Sequence, residues 1–424
     1  MQRPSPSSCL VSLTKVLTSH VNRGSHDQAL ALFRHMRSSL ALSLDPFVFS
    51  SVLKSCAAVS RPRLGTSIHA HVVKSAIASN PVVACCLVNM YGKCVSVSAA
   101  RHLFDEITQK NAFVWNTMIS LYSHADRVDD ALRLFEVMDV APDVSTFNSI
   151  IAGLSLSDEG SSKAILFYWR MRELGLKPDL ITLLALLPAC ERMSALSLIK
   201  EIQGFGIRNY IDPHHQLRSG LVEAYGRCGC LGYARAIFDG TKERDVVAWS
   251  SLISAYALNG EARTALKIFG QMEQASVQPD GITFLGVLKA CSHAGLADEA
   301  LGYFARMQKL YGLEASSDHY SCLVDVLSRS GRLHDAYEIL KDMPVKVTAK
   351  AWGALLGACR TYGEVELGEI AGKALSEVEP SNCANYVLLA RIYSSMGRHE
   401  EAQRVRTEMK ENGVTADSGS SWVV

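Results

Sequence analysis

The sequence predicts an all-α protein, a right-handed superhelical solenoid of helix–turn–helix repeats. Three observations predict it. First, the phrase A-x-x-x-F-x-x-M recurs as Ala29–Phe33–Met36, Ala131–Phe135–Met138, Ala164–Tyr168–Met171, Ala265–Phe269–Met272 and Ala300–Phe304–Met307. Weaker copies stand at Ala100–Phe104, Ala234–Phe238 and Ala336–Leu340–Met343. Second, adjacent copies lie 31, 33, 35 or 36 residues apart, a period that means stacked two-helix units. Third, 424 residues are too many for one ordinary core, which favours an array or several domains.

Taking each unit to end at Pro-Asp or an equivalent turn divides the chain with few leftovers. A short segment, 1–9, precedes units at 10–45, 46–80, 81–111, 112–143, 144–179, 180–214, 215–245, 246–280, 281–316 and 317–348. Two divergent units follow, 349–382 and 383–424. Within a unit the first helix is expected from about the third residue, as in Trp249 to Tyr256, where apolar residues fall three and four apart. Gly260 marks the break, since glycine tolerates positive φ. A second helix then runs from Arg263 to Gln274, with Ala265, Leu266, Phe269 and Met272 on one stripe, and Pro279 ends the unit. The fourth residue of most units is aromatic: Phe49, Trp115, Phe147, Trp249, Phe284, Tyr320 and Trp352. Such a stripe reads as core between repeats. The first unit has Leu13 there instead, and 112–143 is three residues short before Pro142.

Composition bounds the function. With 48% hydrophobic and 20% charged residues the chain has the make-up of a folded protein. Lys+Arg number 43 against 42 Asp+Glu, a net charge of +1. A protein that grips nucleic acid chiefly by neutralising phosphates is far more basic, so if this chain binds nucleic acid its affinity has to come largely from bases and shape. No apolar stretch reaches the length of a bilayer span, so no membrane partner is expected. The first 26 residues hold no Asp or Glu, several Ser, and Arg3, Lys15 and Arg23, the composition of an organellar transit peptide; repeat-like sequence beginning near Leu10 offers the other reading. Cys56, Cys190, Cys291 and Cys359 each occupy the eleventh position of a unit, and Cys94 and Cys228 share another register. Recurrence at one position marks a small packing residue. Only Cys228-Gly229-Cys230 approaches a metal-binding spacing, and no C-x-x-C pair exists. Neither metal nor disulfide is expected, and the usage fits a reducing compartment.

Residues 246–280, from Val246-Val247-Ala248-Trp249-Ser250 to Gln278-Pro279-Asp280, resemble a pentatricopeptide repeat almost throughout. Residues 281–316 resemble its long variant and 215–245 its short one, and their alternation is similar to that of the PLS subclass of land plants. His319-Tyr320-Ser321-Cys322-Leu323 resembles a last short repeat, Trp352-Gly353-Ala354-Leu355-Leu356 and Asn385-Tyr386-Val387-Leu388-Leu389 resemble E motifs, and Ser420-Ser421-Trp422 resembles a G-x-S-W ending. The resemblance implies a binder of single-stranded organellar RNA, in the mitochondrion or, as the alternative, the chloroplast. It also implies that the fifth and last residues of a repeat face one base. Those pairs are Thr14 with Asp45, Asn116 with Asp143, Asn148 with Asp179, Ser219 with Asp245, Ser250 with Asp280, and Ser321 with Thr348. By the same resemblance, Thr or Ser with Asp reads guanine and Asn with Asp reads uracil, giving 5′-GNNUUNGGNN-3′ along the chain. Long repeats place Ser50, Leu184 and Leu285 at the fifth position; leucine cannot hydrogen-bond, so those units are expected to be spacers. The reading requires Asn148 and Asp179 to face the groove rather than lie hidden between hairpins.

No catalytic centre or cofactor is expected. Cytidine deamination needs H-x-E followed by P-C-x-x-C to hold zinc and move protons. His399-Glu400-Glu401 matches the first part by letters, and no P-C-x-x-C follows. Phosphate-loop, G-x-S-x-G and H-E-x-x-H signatures are likewise missing from the sequence. The resemblance then implies an adaptor for C-to-U editing. Its repeats place the RNA, and its E motifs at 349–424 dock a DYW-type deaminase or editing accessory factor supplied in trans, with the edited cytidine a few nucleotides beyond the base read by the last repeat. Two alternatives remain: an RNA-stability, splicing or translation factor, and a tetratricopeptide-like protein scaffold, whose W-x-x-L-G-x-x-Y pattern differs from the V-x-x-N/S-x-x-I found here.

Overall fold

A computed structural model describes residues 6–39, 45–75, 77–78, 80–395 and 397–414. Among these every regular element is a helix, and the helices form consecutive hairpins. Ser420-Ser421-Trp422 lies outside the described residues. Backbone contacts divide the chain into two compact units, Met1–Leu198 and Ile199–Val424.

In the first unit α1 (Pro6–Asn22) pairs with α2 (His26–Ser39), α3 (Pro46–Ala58) with α4 (Pro62–Lys74), and α5 (Pro81–Cys94) with α6 (Val97–Glu106). Next come α7 (Ala112–His124) with α8 (Val128–Glu136), α9 (Val144–Leu154) with α10 (Asp158–Glu173), and α11 (Leu180–Arg192). The division falls inside α12 (Leu196–Arg208). The second unit continues with α13 (His215–Arg227) and α14 (Leu231–Asp239), α15 (Val246–Leu258) and α16 (Ala262–Gln274), and α17 (Gly281–Ala294) and α18 (Ala297–Lys309). It ends with α19 (Ser317–Arg329) and α20 (Leu333–Asp342), α21 (Ala349–Tyr362) and α22 (Val365–Val378), and α23 (Cys383–Ser395) and α24 (His399–Glu411).

Helix starts differ from expectation in one systematic way. Each first helix after the opening hairpin begins at the first residue of its unit, not near the third, so α15 starts at Val246, three residues ahead of Trp249. The cause is the N-cap: Asp245 Oδ1 accepts the Ala248 N–H at 2.9 Å, which draws the preceding turn into the helix. Helix α1 likewise starts at Pro6, ahead of Leu10. Gly260 lies at φ +78°, in the left-handed region the α15–α16 turn demands.

Within each unit first helices pack on first helices (α3 on α5, α5 on α7, α13 on α15, α15 on α17), and second helices meet the next hairpin through its first helix. Small residues permit the close approach: a Cβ on Gly226 would lie 2.3 Å from the Ala255 Cβ. The recurrent phrase supplies the core. Ala265, Phe269 and Met272 of α16 are buried, as are Ala164, Tyr168 and Met171 of α10, each large side chain contributing about 1.5–3 kcal/mol. The phenylalanine of one hairpin meets the aromatic fourth residue of the next. Phe104–Trp115, Phe135–Phe147, Phe238–Trp249, Phe269–Phe284 and Phe304–Tyr320 have ring centroids 4.8–5.5 Å apart, mostly edge to face, adding about 0.5–1.5 kcal/mol each beyond burial. The aromatic stripe is therefore the mortar of the stack.

The eleventh-position thiols Cys56, Cys190, Cys291 and Cys359 are fully buried. Burial pushes Cys56 and Cys359 up to about 11 and Cys291 up to about 12, so they are unreactive packing groups. Cys94 and Cys228 are only half buried. Cys94 Sγ donates to the Cys56 carbonyl at 3.2 Å, fastening α5 to α3 while it packs against the edge of the core.

Candidate nucleic-acid interface

The last residue of a unit is the N-cap of the next first helix. Asp45, Asp143, Asp179, Asp245, Asp280 and Thr348 each turn a side-chain oxygen onto an N–H of that helix's first turn, worth about 1 kcal/mol apiece. Their recurrence thus has a structural cause whatever else they do. The cap uses one carboxylate oxygen of each Asp; the second oxygen of Asp245 lies 3.1 Å from His215 Nδ1.

Two of the expected pairs are joined directly. Asn116 Nδ2 donates to Asp143 Oδ1 at 2.9 Å, and Asn148 Nδ2 donates to Asp179 Oδ1 at 3.1 Å. A third side chain completes each set. The Thr146 hydroxyl donates to Asn116 Oδ1 at 2.6 Å, and the Thr182 hydroxyl to Asn148 Oδ1 at 2.7 Å. The same threonines close capping boxes with Asp143 and Asp179. Burial opposes the charge on Asp143, yet the Thr146 N–H, the Asn116 amide and the Thr146 hydroxyl outweigh it and hold the carboxyl below its ordinary value. Openness is unevenly shared. Asn116 and Asn148 are only 7% and 6% exposed, because the next hairpin closes over their amides, whereas Asp179 is exposed and Asp143 half-buried. The two asparagines therefore lie largely within contacts between hairpins, contrary to the expectation that Asn148 faces the groove, and of each pair the aspartate is the more open member.

The remaining pairs are looser. Ser250 is buried and its hydroxyl donates to the Val246 carbonyl of its own helix at 2.7 Å, while Asp280 is held by Thr283. Ser219 is buried and its hydroxyl makes no hydrogen bond; Asp245 Oδ2 lies 3.1 Å from His215 Nδ1. The hydroxyls of Ser321 and Thr348 share a 2.9 Å hydrogen bond. Thr14 and Asp45 border one cavity of about 560 Å³ with Lys15, Arg23 and Phe47.

A second set of residues was not singled out from the sequence. Phe47, Phe113, Ile181 and Ile282 each stand at the second position of a unit and are 62–71% exposed, and Val82 and Val247 repeat the pattern at half exposure. Apolar periodicity counts such residues toward the core; the signal that distinguishes them is their fixed place two residues after the cap. Asn116 and Phe113 share a cavity of about 620 Å³ with Lys54, Lys93 and His124. A polar edge, a flat apolar side chain and local positive charge thus meet at one spot, the combination that seats a single-stranded base and its phosphate. No group of three or more His, Cys, Asp or Glu among the described residues is placed to hold a metal ion. No helix among them is long and apolar enough to cross a membrane.

Comparison with known proteins places this architecture. Over 418 residues, 98% of this chain and 97% of the relative, the sequence is 63% identical to the pentatricopeptide repeat-containing protein At1g03510 of Arabidopsis thaliana. The chain belongs to the pentatricopeptide repeat family. Models of the PPR repeat match 110–156, 244–293, 282–311 and 318–346, and the E motif model matches 362–424, consistent with the PLS-E subclass of plant PPR proteins. Other Arabidopsis relatives include the chloroplastic protein At3g57430, 35% identical over 97% of this chain and 44% of its own length. The mitochondrial protein At3g53360 is 29% identical over 99% of this chain and 63% of its own length. Among solved structures, PPR10 in complex with an 18-nt psaJ RNA element aligns with a TM-score of 0.69 at 20% identity, covering 96% of this chain and 61% of that one. PPR10 from maize aligns with a TM-score of 0.59 at 18% identity, covering 95% and 64%. At those identities the likeness carries the fold alone.

Proposed function

We propose that this PPR protein binds single-stranded organellar RNA, reading selected bases through its fifth-and-last residue pairs, and serves as the site-recognition adaptor for C-to-U editing. The observation that carries the reading is the pair of matching networks, Asn116–Asp143 and Asn148–Asp179, set beside exposed apolar second residues. One amide N–H and one carboxylate oxygen remain for each base. A donor beside an acceptor suits uracil, whose edge offers carbonyl oxygens and the N3–H, directly or through water. A serine at the fifth position is shorter and leaves room for the larger guanine. Pairing of a solved PPR structure with an RNA element agrees with this use of the fold. With a net charge of +1, phosphate contacts add only locally, as at Lys54 and Lys93.

The E motif region is the proposed dock for a deaminase supplied in trans. Relatives named chloroplastic and mitochondrial support an organelle, and we favour the mitochondrion. Sequencing organelle transcripts from a line lacking the gene tests role and compartment together. Loss of conversion at one or a few cytidines in mitochondrial RNA is the expected result. Unchanged conversion with altered transcript abundance or splicing would replace the editing role by an RNA-processing one.

A further inference from the structure

We infer that Thr146 and Thr182, the third residues of the units that follow Asn116 and Asn148, set the specificity of those two sites by locking the orientation of the asparagine amides. The inference rests on the base reading proposed above. It starts from the polarity of the hydrogen bonds. Asp143 Oδ1 accepts from Asn116 Nδ2 and from the Thr146 N–H, each at 2.9 Å. A carboxylate has no proton to give, so the amide edge facing it must be nitrogen. The Thr146 hydroxyl accepts from the Asp143 N–H at 3.0 Å, and its single proton goes to Asn116 Oδ1 at 2.6 Å. The Thr146 hydroxyl also lies 3.0 Å from Asp143 Oδ1, but its shorter contact is to the amide oxygen, and reversing the amide would set oxygen against carboxylate. Thr182 repeats it, with 2.8 Å from its N–H to Asp179 Oδ1, 3.1 Å from the Asp179 N–H to its hydroxyl, and 2.7 Å from that hydroxyl to Asn148 Oδ1.

The threonines act across the hairpin boundary, about one unit away in sequence, and both are fully buried, so no base touches them. They are positioning residues. Where the fifth residue is serine the device is missing: Thr283 reaches Asp280 alone, and Ala248 stands at the corresponding place after Ser219. A small hydroxyl needs no orienting, whereas an amide whose two ends are donor and acceptor does. Without the threonine hydroxyl the amide oxygen loses its donor and the side chain is held at its nitrogen end alone, so the amide pivots about that one contact and its outward edge distinguishes uracil from cytosine less sharply.

The test measures binding of full-length protein to 5′-GNNUUNGGNN-3′ and to copies with cytosine at the fourth or fifth place. Thr146→Val is isosteric and keeps the backbone cap while deleting the hydroxyl. It is expected to reduce the uracil-over-cytosine ratio at the fourth place about threefold to tenfold, the range one polar contact spans, and to leave the fifth place unchanged. Thr182→Val is expected to do the reverse, and Thr146→Ser to restore the ratio. A purely structural loss would weaken all RNAs alike without moving the ratio, which would overturn the inference. Asn116→Ser separates the two layers. If it moves the fourth-place preference to guanine while Thr146→Val changes no ratio, the reading stands and the threonine role is refuted. If Asn116→Ser moves nothing, the reading fails and takes the inference with it.

Discussion

Replacing Asp143 by alanine should destabilise the α7–α9 contact by about 2–4 kcal/mol, and the structure shows where that figure comes from. Asp143 Oδ1 gathers the Thr146 N–H, the Asn116 amide and the Thr146 hydroxyl within 2.9–3.0 Å. Loss of the N-cap accounts for about 1 kcal/mol. The buried Asn116 Nδ2 then loses its acceptor, which costs about 1–3 kcal/mol more. Asp143→Asn keeps an acceptor at the cap and should lose only about 1 kcal/mol, since asparagine caps as well as aspartate. Because hairpins couple mainly to their neighbours, the assay is hydrogen exchange of amides in α7 and α9, with urea unfolding of the whole chain as the global measure. The acidity of the carboxyl gives the sign with pH. Its folded pKa lies below the unfolded one, so its contribution is complete above the unfolded value of about 3.9 and fades as pH falls through the folded value. The gap between wild type and Asp143→Asn should therefore be present at neutral pH and close in acid. Exchange in α7 and α9 that is unchanged in Asp143→Ala would refute the closed network.

The indole nitrogen of Trp249 is buried without a hydrogen-bond partner, whereas that of Trp115 donates to Asp139 at 2.9 Å. Trp249→Phe should accordingly cost less in urea unfolding than Trp115→Phe, while Trp249→Ala should cost about 3–5 kcal/mol. Gly226→Ala forces a Cβ onto Ala255 and should lose about 1–3 kcal/mol; Gly302→Ala, which opens into free space within α18, should gain up to about 1 kcal/mol in the same measurement. Alkylation at mildly alkaline pH, read by mass spectrometry, should modify the half-buried Cys85 and Cys383 well before Cys291, whose thiol burial raises to about 12. Early labelling of Cys291 would mean that the α17 packing is looser than its full burial implies.

How much of this was legible in the sequence differs by element. The hairpins were, because Ala265, Phe269 and Met272 repeat at helical spacing and Pro279 and Gly260 punctuate them. The first-helix start was misplaced by about half a turn or more, since apolar periodicity begins at Trp249 while the capping Asp245 lies outside it. Capping by the terminal Asp and the base reading proposed for it could not be separated by letters, because both ask for the same residue. The Asp-x-x-Thr pattern of Asp143 to Thr146 is visible as a capping box, yet its bond to Asn116 spans 30 residues and belongs to no local period. Phe47 and Phe113 were not singled out, because apolar letters in a helical run do not by themselves separate exposed from buried positions; their exposure places the second position away from the core.

The central claim is that paired polar side chains of successive hairpins distinguish successive bases. Its most direct test is a binding panel with the wild-type chain at fixed salt: 5′-GNNUUNGGNN-3′ beside copies carrying C-C for U-U or A-A for G-G. Each altered RNA should bind at least about tenfold more weakly, since each of its two mismatched contacts costs about 1–3 kcal/mol. Equal affinity across the panel would leave a helical-repeat scaffold whose Asn–Asp networks hold hairpins together and read nothing.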